Sequence, residues 1–258
     1  MRGKMAIVTG AASGMGRLMA QRLAEAGKRV AMIDVNAAAL EELARGSNLL
    51  SAYSCDISDA VAVAETVARI REENGPVDRL VHAAALMPTG PIETMPAAQF
   101  MRLMAVNYGG TVNITKAVLP DMLQRHSGEI IVFGSIAGVV PTQEMGAYCA
   151  TKAAVGAYME VLMHEHENAG IDFLLVCPPV VDTPLLAQMQ NGGPGSVAGR
   201  IQQGKAMKPG AVLDAIEKAL SKGRQIVYPG EAHAAQVMRR WMPNLTWKLT
   251  SRANRKTG

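Results

Sequence analysis

Two side chains near the middle of the chain have the chemistry and the spacing of an acid–base pair. Tyr148 and Lys152 stand four positions apart in a segment with a helical pattern, so they project from the same face of the helix. A free tyrosine has a pKa of about 10, but a neighbouring ammonium group favours the phenolate and lowers that pKa. Ser135, just beyond an apolar run, could orient a substrate oxygen beside them. Such spacing also arises by chance on solvated helices, but its position one helix after a strand ending in serine favours proton transfer.

A glycine-rich turn near the start of the chain has the features of a phosphate-binding loop. The segment Thr9–Gly16 reads TGAASGMG and lies between an apolar run and a helical pattern. The first N–H groups of a helix and the helix dipole can bind a pyrophosphate, and glycine lets it approach the backbone. A merely tight strand-to-helix turn is the alternative, but the strand and the helix around it satisfy the dinucleotide motif. The predicted cofactor contacts in the loop are Gly10, Ser13, Gly14, Met15 and Gly16.

Two acidic residues bear on which dinucleotide is bound. Asp34 ends the second apolar run, where its carboxylate can accept hydrogen bonds from ribose hydroxyls and would repel a 2′-phosphate. The neighbouring positions Ser13 and Val35 are not basic, so nothing there compensates for the acid. An acid that simply ends a strand is the alternative. Asp56, after the third apolar run, could contact the adenine amino group, although aspartate is also common in turns. We predict NAD(H).

Short apolar runs alternate with longer helical patterns and predict the frame that positions these residues. Most runs are nearly continuous in Val, Ile and Leu, as in parallel strands buried on both faces. We predict strands at Met5–Thr9, Arg29–Asp34, Leu49–Ser54, Arg79–Ala83, Gly128–Phe133 and Asp172–Cys177. We predict helices at Met15–Ala26, Ala37–Ala44, Ser58–Glu73, Ala97–Arg125 and Tyr148–Asn168. The alternation predicts a single-domain, Rossmann-type α/β fold, a doubly wound parallel sheet with helices on both faces.

The last third of the chain changes in composition. Glycines and a proline are concentrated in Gln190–Gly204, which indicates a loop, and we predict a mobile lid over the substrate at about residues 185–207. A helix at Pro209–Lys222 and a strand at Gln225–Tyr228 follow. Residues 1–232 would form one dinucleotide-binding and catalytic domain.

Residues 233–258 form a basic C-terminal tail that contains Trp241 and Trp247. A segment of this composition could lie on an anionic membrane surface or cap an apolar substrate channel. Packing on its own domain or on a sister subunit is the interpretation that we favour.

Composition and charge narrow the class of protein. A chain of 258 residues that is 49% apolar can bury a substantial core, as one large α/β domain or two small ones. The net charge of +4 is diffuse before the tail and argues against nucleic acid as a partner. The three cysteines lack C-x-x-C spacing, and His164 and His166 point in different directions on a helix, so we expect no metal site. With no secretory signal and no run of about 20 apolar residues, we expect a soluble, cytoplasmic protein.

These motifs occur in the order typical of the short-chain dehydrogenase/reductase family, which the sequence resembles from about Lys4 to Leu186. The matching features are the T-G-x-x-x-G-x-G loop at Thr9–Gly16, Asp34, Asp56, Asn107, Ser135, the Tyr148-x-x-x-Lys152 pair and the segment Pro178–Thr183. Each motif is weak alone, but jointly they are specific. The resemblance implies a homodimer or homotetramer, with Asn107–Arg125 and Tyr148–Asn168 offering packing helices.

The resemblance also implies roles for the matched positions. Tyr148 would protonate a carbonyl or deprotonate an alcohol, Lys152 would lower its pKa and bind the nicotinamide ribose, and Ser135 would hold the substrate oxygen. Asn107 would support a water chain that links Lys152 to solvent. Thr183 would meet the nicotinamide carboxamide. Further cofactor contacts are placed at Ile57, Ala83, Ala84 and Val181.

Two segments depart from the family pattern. The usual N-N-A-G after the fourth strand reads His82-Ala83-Ala84-Ala85, so the amide that ties this turn to the sheet is missing, and we expect a satisfied, buried histidine instead. The usual P-G reads Pro178-Pro179, where proline removes an N–H and fixes φ. Backbone contacts around Pro179 therefore do not carry over directly.

These features together predict an NAD(H)-dependent oxidoreductase that moves hydride between the cofactor and a hydrophobic ketone or secondary alcohol. Apolar residues at Ile136–Val140 motivate the substrate class. Flexible thioethers also suit an adaptable apolar pocket, although they are equally ordinary core filler, and several are expected on the substrate side: Met87, Met95, Met145, Met189 and Met207. The alternatives are a non-catalytic dinucleotide-binding sensor, or an epimerase or dehydratase that retains its cofactor.

Overall fold

Seven parallel strands form the middle layer of the computed structural model, which describes residues 3–189 and 193–255. The strands are β1 (Met5–Thr9), β2 (Arg29–Asp34), β3 (Leu50–Ser54), β4 (Arg79–His82), β5 (Gly128–Phe133), β6 (Ile171–Val176) and β7 (Ile226–Val227). They lie side by side in the order β3-β2-β1-β4-β5-β6-β7. The predicted doubly wound parallel sheet is confirmed, and the predicted strand bounds differ from these by at most one residue at each end.

Helices cover both faces of this sheet because its strands are apolar on both sides. The helices of the first two thirds are α1 (Gly14–Glu25), α2 (Ala37–Ala44), α3 (Ala60–Asn74), α4 (Ala97–Leu103), α5 (Gly110–Arg125) and α6 (Gly146–Glu165). One apolar layer joins the sheet to α3, α5 and α6. The other joins it to α1 and to α8 (Pro209–Leu220).

The long helix predicted at Ala97–Arg125 is interrupted in the structure. A wide π-helical turn, Met104–Gly109, separates α4 from α5. Gly110 follows it, and a Cβ atom there would lie 2.7 Å from Cγ2 of Ile57, so only glycine allows the helix to approach the loop after β3 this closely. The hydrophobic periodicity alone could not reveal the interruption, because the wide turn depends on this distant contact.

The glycine-rich segment is more ordered than its composition indicated. A short 3-10 helix, Pro184–Gln188, precedes it, and Gly195–Gln202 forms the helix α7. The expectation of a loop is wrong over α7, because burial of Val197 and packing against the C-terminal helix outweigh the low helix propensity of glycine. Residues 190–192 of the predicted lid lie outside the described residues, and movement of the lid stays a prediction.

The basic tail folds into two further helices, α9 (Ala232–Trp241) and α10 (Pro243–Arg255). Helix α10 packs against α7 and α9, and α9 contacts the 3-10 turn Ile136–Gly138. Residues 256–258 of the predicted tail lie outside the described residues. Among the helices of the described chain, none combines the length and the apolar character needed to cross a membrane.

A buried ion pair ties the amino ends of the central strands to a surrounding helix. Arg79, fully buried at the start of β4, donates from Nε to Glu129 of β5 at 2.7 Å and from Nη1 to Glu217 of α8 at 2.5 Å. Glu129 is itself buried, whereas Glu217 is half-exposed. Charges removed from water need this pairing, since a single unpaired charge in the interior is costly.

We expect Arg79→Met to lower the free energy of unfolding by about 3–5 kcal/mol, because Glu129 would be left buried without a cation. The exposed pair Arg22–Asp214 offers a matched control, with Asp214 70% exposed. Asp214→Asn should cost at most about 1 kcal/mol. Urea denaturation followed by circular dichroism measures both values. Equal losses in the two variants would contradict a stabilising role for the buried pair.

Candidate active site

A cleft opens where the strand order reverses between β1 and β4, at the carboxyl ends of these strands. Its volume is about 350 Å³. The predicted cofactor residues that line it are Gly10, Ser13, Gly14, Met15, Gly16, Asp34, Asp56, Ile57, Ala83, Ala84 and Thr183. Val181, Tyr148 and Lys152, which we also predicted to contact the cofactor, do not line it. Residues from five separate segments of the chain therefore meet at the predicted dinucleotide site.

The glycine-rich turn holds the start of α1 against the cleft. Gly10 has a φ of +66°, and a Cβ atom there would lie 2.8 Å from the backbone nitrogen of Ala84. A Cβ atom on Gly16 would lie 2.2 Å from the carbonyl oxygen of Gly10. In the described part of the chain the Ser13 side chain does not cap the first turn of α1. The N–H groups of that turn therefore suit the pyrophosphate of a dinucleotide.

Asp34 holds a negative charge at the far side of the same cleft. Its Oδ2 accepts a hydrogen bond from the backbone N–H of Ala12 at 3.1 Å, and its Oδ1 accepts one from the N–H of Asn36 at 3.0 Å. These bonds fix the carboxylate against the glycine-rich turn. Each oxygen can accept a further bond, as recognition of two ribose hydroxyls requires.

Asp56 is more fully engaged than the sequence indicated. Its Oδ1 accepts hydrogen bonds from the N–H and the hydroxyl of Ser58 at 2.9 and 2.6 Å, and its Oδ2 accepts one from Arg102 at 3.2 Å. The bonds from Ser58, together with Arg102, lower the pKa of Asp56. Arg102 also lines the cleft. Sequence reasoning missed this arginine, because it lies in a different element and no local motif marks it.

Three of the four predicted catalytic side chains come together at the carboxyl end of β5, and the fourth, Asn107, lies in the π-helical turn. Ser135 follows β5, and its hydroxyl lies close enough to Tyr148, at the start of α6, to act on the pKa of the phenol. Lys152 Nζ lies 5.8 Å from the centre of the Tyr148 ring and donates to the carbonyl oxygen of Phe133 at 2.7 Å. Both Tyr148 and Lys152 are 5% exposed. The arrangement supplies a proton donor, a hydroxyl beside it and a cation behind it.

Burial dominates the ionisation of this group. Loss of water raises the pKa of Tyr148 to about 12, although the nearby Ser135 hydroxyl acts in the opposite direction. Loss of water also lowers the pKa of Lys152 to about 8. The lowered tyrosine pKa expected from the spacing is therefore outweighed by burial in this structure.

The side chain of Asn107 connects the π-helical turn to the loop after β4 and to α6 by hydrogen bonds. Its side-chain amide pairs with both backbone groups of Leu86, accepting from N–H at 2.8 Å and donating to the carbonyl at 2.9 Å. Its Nδ2 also donates to the Thr151 hydroxyl at 3.0 Å, and that hydroxyl donates to the carbonyl of Tyr148 at 2.8 Å. Asn107 thus positions the start of α6. The predicted water chain to Lys152 stays a prediction.

The segment predicted as a lid packs over Tyr148. The side chains of Met87, Met145, Met189 and Val197 form an apolar cluster with it, and all are buried. Gln188 Oε1 accepts a hydrogen bond from the N–H of Met87 at 2.8 Å, which ties the 3-10 helix Pro184–Gln188 to the loop after β4. This cluster explains why Tyr148 does not line the cleft. Gln188 was not predicted, since a lone glutamine carries no motif.

His82, at the end of β4, takes the place of an amide that the family pattern leads us to expect. Its Nδ1 lies 2.7 Å from the hydroxyl of Thr9, at the end of β1. That hydroxyl already accepts hydrogen bonds from the N–H groups of Ala83 and Ala84, so its one proton points to Nδ1. The histidine proton must then lie on Nε2, which is buried without a partner among the described residues. We expected both ring nitrogens of the buried His82 to have hydrogen-bond partners, but among the described residues only Nδ1 has one.

Burial and the nearby Lys152 lower the pKa of His82 to about 3. The folded protein thus keeps His82 neutral, whereas the unfolded chain protonates it below its ordinary pKa of 6.5. Because the unfolded state binds more protons between these values, acid favours unfolding there.

We expect His82→Asn to flatten the fall of the unfolding free energy between pH 7 and pH 4.5, relative to the unsubstituted protein. The contribution of His82 has a slope of up to about 1.4 kcal/mol per pH unit. Chemical denaturation at several pH values measures the difference. His233→Asn, at an exposed position, is the control and should leave the profile unchanged. Identical profiles for His82→Asn and the unsubstituted protein would show that His82 titrates normally in the fold.

Three comparisons with known proteins agree on one family. A family model described as short chain dehydrogenase matches residues 4–192. Probable oxidoreductase EphD of Mycobacterium tuberculosis is 34% identical over 253 residues, 92% of this chain and 43% of that protein. The 2,3-dihydro-2,3-dihydroxybenzoate dehydrogenase of Bacillus subtilis is 31% identical over 229 residues, 83% of this chain and 87% of that protein. This chain therefore spans less than half the length of EphD.

The solved structures include similar molecules. The crystal structure of a short chain dehydrogenase/reductase from Burkholderia phymatum in complex with NAD has a TM-score of 0.81 to this structure at 25% identity. The similarity covers 94% of this chain and 95% of that chain.

Proposed function

The chain belongs to the short-chain dehydrogenase family, and from that premise we propose that it is an NAD(H)-dependent oxidoreductase. It would transfer hydride between the cofactor and a hydrophobic ketone or secondary alcohol. One observation carries the proposal. The buried Tyr148, with the Ser135 hydroxyl near it and Lys152 behind it, lies beside a cleft whose residues suit a dinucleotide.

The residues of the chain provide the proton transfer. NAD(H), when bound, supplies or accepts the hydride. Tyr148 Oη donates its proton to the substrate oxygen during reduction and takes a proton from the alcohol during oxidation. Ser135 holds the same oxygen. Below pH 8 the Lys152 ammonium is charged, and its field stabilises the phenolate that remains after Tyr148 gives up its proton.

The choice of NAD(H) rests on Asp34. The carboxylate is held in place by two backbone N–H groups and faces the cleft. A 2′-phosphate at this position would meet a negative charge, whereas two hydroxyls would find acceptors. The neighbouring Val35 is 65% exposed and brings no positive charge.

The substrate class rests on the apolar cluster around Tyr148. Its methionines, Met87, Met145 and Met189, are flexible and can rearrange around substrates of different shape. The same cluster covers the tyrosine, so a substrate must displace part of it. An apolar substrate could replace these contacts, whereas a strongly polar one would leave its own polar groups without partners.

We expect Tyr148→Phe to lower kcat for ketone reduction about 10²- to 10⁴-fold, because the proton donor is lost while the ring remains. NADH oxidation by the purified protein is measured against ketones graded in apolar length, and turnover should rise with length. Tyr158→Phe is the matched control, since it makes the same change further along α6.

The outcomes of that experiment separate the alternatives. Saturable NADH binding without turnover by the unsubstituted protein would favour a non-catalytic sensor. A cofactor that is retained and never exchanges would favour an epimerase or dehydratase. Full turnover by Tyr148→Phe would contradict the role proposed for the tyrosine.

We expect Asp34→Ala to lose NADH affinity by about tenfold to a hundredfold and to gain affinity for NADPH, because a charged acceptor is removed. Titration of the cofactor by protein fluorescence measures both. Asp34 also holds Ala12 and Asn36, so Asp34→Asn separates loss of charge from loss of these bonds, and thermal unfolding monitors the fold. A preference of the unsubstituted protein for NADPH would show that our interpretation of Asp34 is wrong.

A further inference from the structure

Helix α10 buries polar side chains against its own domain and leaves large apolar side chains exposed. Among its described side chains the buried ones are polar, Thr246 at 2% and Ser251 at 6% exposed. Three large apolar side chains, Leu245, Trp247 and Leu249, are each 44–45% exposed, and Leu245 and Leu249 share the outer face of the helix. A surface helix of a globular domain normally shows the opposite pattern. The apolar face of α10 is therefore built to contact something outside this domain.

The exposed apolar face continues onto α9. Trp241, at its end, is 76% exposed, Met242 is 48% exposed and Val237 is 41% exposed. We name as the C-terminal surface the exposed side chains of Val237, Arg240, Trp241, Met242, Leu245, Trp247, Lys248, Leu249 and Arg252. Several large apolar side chains exposed close together in the chain mark interaction sites more often than ordinary surface does.

Positive charge surrounds these apolar side chains. The sequence after Glu231 contains six Arg and Lys residues and no Asp or Glu. Lys248 and Arg252, four positions apart, form a stripe on α10 beside the stripe of Leu245 and Leu249. Within the described part of the chain, no ion pair neutralises Arg240, Lys248 or Arg252. The partner of this surface must therefore be both apolar and anionic.

We propose that the C-terminal surface docks the protein on an anionic lipid bilayer. Tryptophan and leucine side chains suit the boundary between headgroups and acyl chains, and Arg and Lys side chains bind the phosphates above it. A second copy of the chain is the weaker candidate. A two-fold contact centred on this surface would bring the same cations of both copies together, with no acid among them.

Docking would bring the bilayer close to the substrate side of the molecule. Helix α10 packs on α7, and α7 supplies Val197 to the apolar cluster over Tyr148. Helix α9 contacts the turn Ile136–Gly138, which directly follows Ser135. Lipid binding does not depend on the proposed reaction, because none of the residues of the C-terminal surface lies in the catalytic group.

The chain offers a built-in probe for this proposal. Its only two tryptophans, Trp241 and Trp247, both lie on the C-terminal surface, so tryptophan fluorescence reports on that surface alone. We expect vesicles of phosphatidylglycerol and phosphatidylcholine to shift the emission to the blue and to sediment with the protein. Vesicles of phosphatidylcholine alone should bind at least tenfold more weakly, and added salt should weaken binding to the anionic vesicles.

Two sets of substitutions test the two halves of the surface. The triple variant Arg240→Gln, Lys248→Gln, Arg252→Gln should weaken binding to anionic vesicles about a hundredfold, at roughly fivefold for each cation lost. The matched control, Lys218→Gln, Lys222→Gln, Arg224→Gln, removes equal charge from the opposite end of the sheet and should change binding less than threefold.

The variant Leu245→Ser, Leu249→Ser should also bind weakly. Tyr148→Phe should bind like the unsubstituted protein, which separates docking from catalysis.

Three results would overturn the proposal. Equal binding to neutral and anionic vesicles would show that the cations do not contribute to binding. An unchanged tryptophan emission with no sedimentation would show that the surface does not bind a membrane. A blue shift that depends on protein concentration without vesicles, with a matching increase in mass by light scattering, would identify the surface as a contact between copies of the chain.

Discussion

The pairing of β1 with β4 is the contact on which the candidate site depends. These two strands lie side by side although β2 and β3 come between them along the chain, and the strand order reverses between them. Their carboxyl ends are joined by Thr9 and His82, and the Thr9 hydroxyl also holds the backbone that follows β4. Gly10 can lie against that backbone because it has no side chain. A larger residue at position 10 would push the glycine-rich turn away from the backbone of Ala84.

Burial limits the charge that the candidate catalytic residues and the neighbouring His82 can carry. Tyr148, Lys152 and His82 are all buried at the ends of adjacent strands, where loss of water disfavours every charged form. The Lys152 ammonium keeps one strong acceptor, the carbonyl oxygen of Phe133. Tyr148 and His82 are thus neutral near pH 7, whereas the Lys152 ammonium stays charged below pH 8, and its field favours the phenolate form of Tyr148.

The C-terminal third of the chain links the candidate catalytic group to the outside of the molecule. Packing runs from the cluster over Tyr148 through α7 to α10, so a partner of α10 would touch an element that itself helps to cover the tyrosine. On the inner face of α10, Thr246 and Thr250 donate hydrogen bonds to backbone carbonyls of the preceding turn, whereas Ser251 Oγ is buried without a partner among the described residues. The apolar side chains Leu245 and Leu249 remain 44% exposed.

Most of the fold could be predicted from the sequence, because its signals are local. Apolar runs marked the strands, glycines marked the first turn, and the spacing of Tyr148 and Lys152 marked one face of α6. The elements that the sequence misjudged depend on contacts between distant segments. The π-helical turn comes with two contacts to distant segments, the approach of Gly110 to Ile57 and the hydrogen bonds of Asn107 to Leu86, and α7 buries Val197 against distant side chains.

The sequence by itself determined the protein family, since the types of residue and their order identify a proton donor, a cation and a dinucleotide-binding loop. Only the tertiary structure decided how these groups ionise, which residues engage Asp56, and which face of α10 points outward. Those properties depend on distances and on exclusion of water. Neither quantity can be calculated from spacing along the chain, because both arise from segments that meet only after folding.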